Sequence, residues 1–335
     1  MAKKDNEALS AYVSENENVM ENKPESVSVE PVSEKDLDKV DFRGSDNTKR
    51  AVEPLRAHTP IDAKVRENLG YLKISLESLP TQGLFYPNGF EVSIRAARGE
   101  EIKHWSTMND EDIRQISRTD DILNYMIERC CLVKSPERPG NAWQDLKSVD
   151  RFYILLCIKE FTFIKGENQL LLDSDENIPV TKEMVDFIDI PEEIMEYYSP
   201  EEKCFVFNID GYNNTIKIHI PSLGVNSWLK NYAINKQNSG EPYDEDFLNY
   251  APMLIRDYRN LSQRAYEQFV SETQLWGVEE WSLISWVTKE LATATEPKIK
   301  YISEGGEEKV VPLSFRGGLR AIFLIPNPLR SLRGH

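Results

Sequence analysis

The side chains in this chain that could do chemistry are four histidines, four cysteines and an abundance of carboxylates. The histidines are His58, His104, His219 and His335. His219 lies between Ile218 and Ile220, so in an apolar-in strand it is expected to point outward. His104 precedes Trp105 in a charged helix start, and neither histidine has a serine or cysteine beside it in a recognisable catalytic setting. A hydrolase would need folding to bring His104 or His219 to a carboxylate and a nucleophile. Cys130 and Cys131 are adjacent within an apolar helical pattern, and Cys157 and Cys204 stand far away. No CxxC or Cys/His pair at ligand spacing occurs, so the expectation is reduced, buried thiols with no metal and no cofactor.

The carboxylates cluster as Glu100-Glu101, Asp110-Glu111-Asp112, Asp120-Asp121 and Glu192-Glu193, mostly near predicted helix starts. There they complement the helix dipole and cap backbone N–H groups. Asp173-Ser174-Asp175-Glu176-Asn177 resembles a calcium loop but lacks the glycine and the spaced bidentate glutamate, and reads as a solvated loop. Gly305-Gly306 and Gly317-Gly318 lack the strand-turn-helix context of a phosphate loop and read as turn glycines. No catalytic residues are expected, and the chain reads as a non-enzyme.

The elements that must position these residues divide the chain into five segments. Residues 1–65 are rich in charged and small polar residues and read as an acidic arm, disordered in isolation or ordered on a partner through Val40, Phe42 and Leu55. Residues 66–165 carry a strand at Leu72, Ile74 and Leu76, turns at Pro80 to Gly83 and Pro87 to Gly89, and a second strand at Phe90, Val92 and Ile94. A helix capped by Asn109 or Asp110 then runs to about Cys131, and a second, apolar all round, starts at Ser148 or Asp150. Residues 166–220 are mixed, with a short strand at Gln169 to Leu172 and a hairpin of Cys204 to Ile209 with Thr215 to Ile220. Residues 221–295 form a helical block: Pro221 to Asn238, Tyr243 to Asn260 capped by Asp244, Leu261 to Gln274, and Val278 to Ala292. Residues 296–335 form a terminal hairpin and a basic, apolar tail. The fold class is α+β: β-hairpins packed with a largely helical body behind a long acidic arm.

Of 335 residues, 40% are hydrophobic and 10% aromatic, ample for a core, and the net charge of -16 with a pI near 4.9 opposes phosphate backbones and anionic membranes. No apolar run reaches the length of a membrane span. Interaction is the remaining chemistry. Its candidate residues are Phe85 and Tyr86 at the turn, Trp105, and Phe315, Arg316, Arg320 and Phe323 in the tail. The turn aromatics either plug the core or present an anchor, and the tail either docks on a neighbour's acidic surface or closes the core. Trp276, Trp281 and Trp286 read as core or interface.

Leu79-Pro80, Gly83-Leu84-Phe85-Tyr86-Pro87 and the strand Glu91 to Ala96 resemble the opening signature of a T4-type phage baseplate family. That family includes the baseplate hub subunit or hub-assembly protein of contractile tails. Asp120-Asp121-Ile122-Leu123, Ile127 to Cys131 and the closing Val311-Pro312-Leu313-Ser314-Phe315-Arg316 are similar to later parts of it. The match covers about a third of the chain; the long acidic arm and the large middle depart from it. The resemblance implies a structural or assembly protein of the tail, with other baseplate subunits as partners, membership of a symmetric oligomer, and a place in the virion or, during assembly, in the host cytoplasm. The alternative is a packaging factor that contacts nucleic acid through the basic C-terminus.

Overall fold

The structure, a computed structural model, describes residues 70–109, 116–164, 168–209, 215–303 and 305–324. All of these belong to one compact unit, 46–335; the other unit, Met1–Ser45, lies outside the described residues, as does the whole of the acidic arm. Among the described residues the architecture is α+β, with three small antiparallel sheets set among eight helices.

The first sheet has the order β1-β2-β3, from β1 (Leu72–Ile74), β2 (Glu91–Ile94) and β3 (Cys131–Lys134). Leu72 faces Ile94 and Ile74 faces Val92 across the first pair, which puts the alternating apolar residues on one buried face. Helix α1 (Gly99–Trp105) follows β2, and its Glu101 carboxylate accepts the Arg98 N–H at 2.7 Å. Glu101 also accepts from the buried Arg95 guanidinium at 2.6 Å, so a carboxylate at the helix start does cap backbone as expected. Helix α2 (Ile116–Cys130) ends directly at β3, so Cys131 is not helical. It pairs with Ile94, and Arg95 N–H bonds Cys130 carbonyl at 2.9 Å: pairing with β2 captures the chain where no sequence breaker stands. Asp110 lies outside the described residues.

Helix α3 (Arg151–Thr162) follows a 3-10 turn at Ser148–Asp150. Its residues Tyr153 to Lys159 are buried without interruption, so the helix is enclosed on every side. It is the axis of the largest apolar cluster, which takes in β1 to β3, α1 and α2 and, from the far end of the chain, Ile299, Phe315, Ile322 and Phe323.

After a four-residue helix α4 (Glu192–Met195), the second sheet has the order β4-β5-β6: β4 (Tyr198–Ser199), β5 (Cys204–Asn208) and β6 (Thr215–Ile218). The expected hairpin is present, and β4 adds a strand that the alternation did not announce. Gln169 to Leu172 makes only isolated bridges, Leu171 with Pro179 and Leu172 with Phe315, so it is not a strand.

The helical block holds α5 (Leu223–Ser239), α6 (Ala251–Leu254), α7 (Gln263–Thr273) and α8 (Val278–Ala294). Ser222 and Ser262 cap α5 and α7, accepting Val225 and Ala265 N–H groups. The single helix expected over Tyr243 to Asn260 is instead a 3-10 turn and the four residues of α6. Asp244 does accept the Phe247 N–H at 2.9 Å, but Pro252 can sit only in a first turn, and Ile255 is already extended. Strands β7 (Lys298–Ile302) and β8 (Glu308–Pro312) form the expected terminal hairpin, and Gly306, Gly317 and Gly318 occupy turns at positive φ.

Two further apolar clusters complete the core. One joins β5 and β6 to α8; the other packs aromatic rings among α5, α6 and α7, and Trp281 touches both.

Candidate functional site

The segment 79–90 is a succession of tight turns, with Gln82 and Gly83 at positive φ and Gly83 pressed against Leu76. Its adjacent aromatics Phe85 and Tyr86, each 2% exposed, part company. Phe85 enters the β5–β6–α8 cluster, its ring 5.5 Å from that of Tyr198 and 5.7 Å from that of Phe205. Tyr86 enters the α3 cluster and stacks on Phe90 at 4.4 Å. The turn therefore joins two cores. An extended hydrogen-bond clamp fixes it. Tyr86 hydroxyl donates to Asp150 Oδ2 at 2.6 Å and accepts the Lys147 N–H at 2.9 Å, while Thr81 donates from N–H and hydroxyl to the same carboxylate at 3.0 and 2.7 Å. Asp150 is wholly buried. Burial pushes its carboxyl up to about 6, against the opposing pull of the Tyr86 and Thr81 bonds and the Lys147 charge.

Outside this clamp lies a cleft of about 610 Å³. Phe85, Tyr86 and Asn88 form one wall, the β4–β5 turn (Pro200 to Lys203) another, and Arg256 to Asn260 a third. Its inner end is Lys147, His219 and Ser222. The backbone places these together: Lys147 bridges to Ser222, Ser148 N–H bonds Pro221 carbonyl at 2.9 Å, and Lys147 Nζ donates to Ile220 carbonyl at 3.1 Å. Contrary to the outward placement expected from the alternation, His219 is buried, 7% exposed. The strand pairing stops at Ile218, and His219 N–H turns to Met253 carbonyl at 2.7 Å, which folds the residue under α6. Burial, then the charges of Lys147, Arg256 and Lys217, drive its imidazole down to about 3. Burial likewise lowers the Lys147 ammonium to about 8, with Asp150 opposing.

Tyr258 closes one side of the cleft. Its ring lies so close over Gly224, in the first turn of α5, that a Cβ there would meet ring carbon at 2.2 Å. Its hydroxyl donates to Asp145 at 3.0 Å and accepts from Arg138 at 3.1 Å, and Arg259 also pairs with Asp145.

Chemistry of the thiol–imidazole kind gets no support from the electrostatics. Cys204 and His219 each sit one position outside the Phe205–Ile218 pair, yet burial raises the Cys204 thiol while the imidazole is lowered. An activated thiolate–imidazolium pair needs the opposite directions. His104 packs its ring 4.2 Å from that of Tyr125.

The other residues singled out from the sequence lie elsewhere. Trp105 is buried against Phe323 at 4.9 Å, and its indole N–H donates to Arg320 carbonyl at 3.2 Å. Phe315 is buried in the α3 cluster. Thus the five aromatics chosen as contact residues, Phe85, Tyr86, Trp105, Phe315 and Phe323, are packed inside the chain's own core, and Arg316 and Arg320 are exposed. The Arg316 guanidinium donates to Ser174 carbonyl (2.6 Å), Asn177 Oδ1 (2.8 Å) and Glu176 carbonyl (3.3 Å). The loop that resembled a calcium loop thereby holds an arginine.

Of the three tryptophans, Trp276 and Trp281 pack together at 5.9 Å, and Trp281 meets Tyr250 and Phe247. Trp286 is 40% exposed, and Leu275 and Val278 nearby are 86% and 82% exposed. Val278 and Trp286 border a shallow groove with Trp276, Trp281 and Lys289.

Lys147, Gly224 and Tyr258 were not singled out from the sequence, and Asp150 reads there only as a helix start. Only Gly224 carried a signal, a glycine in the first turn of a helix where bulk was excluded.

No family model matches this chain, and neither a curated protein nor a solved structure matches it.

Proposed function

We propose that the chain is a structural or assembly protein of a contractile phage tail baseplate, in its hub region, and that it acts by binding other tail subunits. The observation that carries this reading is the turn Leu79-Pro80 to Gly83-Leu84-Phe85-Tyr86-Pro87, followed in order by β2 and α1. The exposed apolar residues Val278 and Trp286, which border one shallow groove, support it, since exposed apolar surface of this kind marks protein contacts. The acidic balance supports partners other than nucleic acid. Its place of action is the virion, or the host cytoplasm while tails are being built.

Disrupting the gene in its phage tests this. Electron microscopy of the lysate is expected to show incomplete tails beside filled heads. Mass spectrometry of purified wild-type tails then separates a resident subunit from an assembly factor. Normal tails with empty heads would overturn the proposal and favour genome packaging.

A further inference from the structure

We infer that the inner end of the cleft is a carboxylate-binding site, built from the Lys147 ammonium, the His219 imidazole and the first turn of α5. Three independent observations converge there. His219 is more than nine-tenths buried, it lines the cleft, and among the described residues its ring has no hydrogen-bond partner. An imidazole in that position keeps a donor that no protein group takes, open to the cleft it lines. The Lys147 ammonium carries three donors and, among the described residues, gives one to Ile220 carbonyl and enters no ion pair. The adjacent Asp150 does not use it: both carboxylate oxygens are taken by Thr81 and Tyr86. The seventeen-residue helix α5 begins at Ser222 and Leu223 beside this pair and brings the positive end of its dipole.

The remaining lining selects the class of anion. Asp145, Glu201, Glu202 and Asp257 also face the cleft. Asp145 is paired with Arg259, Glu202 with Lys217, and Asp257 with Asn260, which leaves a polar rim of mixed sign. A dianionic phosphate would feel these carboxylates twice over, whereas a single carboxylate matches the two donors at the floor. Burial depresses both Lys147 and His219, and the Lys147 and Arg256 charges depress the imidazole further, so a bound anion favours the protonated imidazole. The carboxylate belongs either to a small free acid or to an acidic side chain of a bound peptide.

The test is NMR of the His219 ring, assigned by loss of its signals in His219→Gln, at mildly acidic pH and fixed ionic strength. Sodium acetate is expected to move the ring resonances saturably toward the imidazolium position, and sodium chloride is expected not to. Lys147→Gln should weaken the acetate response about tenfold, the loss of one charge-assisted hydrogen bond. N-acetylglutamate amide as a second probe separates the sources: tighter binding than acetate assigns the site to a peptide side chain, and weaker binding to a small acid. Equal shifts with chloride, no shift with acetate, tighter binding of inorganic phosphate, or a response unchanged by Lys147→Gln in a folded variant would each overturn the assignment. If Lys147→Gln does not fold, the acetate–chloride comparison on the wild-type protein decides. The outcome is independent of whether the chain belongs to a tail.

Discussion

Asp150 and His219 stand close to the same cleft wall and pull stability in opposite directions with pH. The Asp150 carboxyl ionises near 3.8 when exposed and near 6 in the fold, so between these values the folded state keeps a proton that the unfolded state has lost. Stability from this group therefore falls as pH rises through that window, by about 3 kcal/mol in all. His219 is lowered from 6.5 to about 3, so the unfolded state binds the extra proton there and stability falls as pH drops through the same range. The two slopes oppose each other, and a substitution exposes them. In Asp150→Asn the first is absent, and the wild-type protein should gain on this variant by up to about 3 kcal/mol as pH is lowered from neutral toward the exposed carboxyl's range. Urea midpoints at a series of pH values give the difference; one that does not change with pH would contradict the assignment. Gly224→Ala is also a residue-scale test. The added methyl collides with the Tyr258 ring, and overpacking of this kind costs about 1–3 kcal/mol, seen as a lowered melting temperature.

The segment 79–90 shows most at the element scale, because neighbouring residues supply different cores. Phe85→Ala should cost about 3–5 kcal/mol in chemical denaturation, as for other large buried rings. A loss under 1 kcal/mol would mean that the ring is not seated against Tyr198 and Phe205. Much of this local construction was legible in the sequence. Alternation marked β1 and β2, turn residues marked the bend between them, and Asp244 caps as expected, whereas the Ser222 and Ser262 caps start their helices later than the expected Pro221 and Leu261. What was not legible depended on partners far along the chain. Asp150 reads locally as a helix start, but its ligands Thr81 and Tyr86 lie 69 and 64 positions upstream. The alternation through Ile218 and Ile220 pointed His219 outward, and α6, packed on from beyond α5, reverses that. Cys131 leaves its helix for β2 with no glycine or proline to signal it.

At the scale of the whole molecule, the three apolar clusters share members across their borders. Phe85 and Tyr86 tie the first two, and Trp281 contacts the second and third. Unfolding in denaturant should therefore be a single transition for residues 70–324, with tryptophan fluorescence and far-ultraviolet circular dichroism superimposing. Trp105 reports on the first cluster and Trp228 and Trp281 on the third, so displaced curves would show that the clusters melt separately.

The bond from Trp105 to Arg320 spans 215 positions, and the Phe323 ring beside it completes the wall around α3. A nascent chain that has finished α3 must therefore wait for nearly half of its sequence before that wall can close. Over that interval the face of α3 that the C-terminal segment covers stays open on the ribosome, apolar surface of the kind that holding chaperones bind.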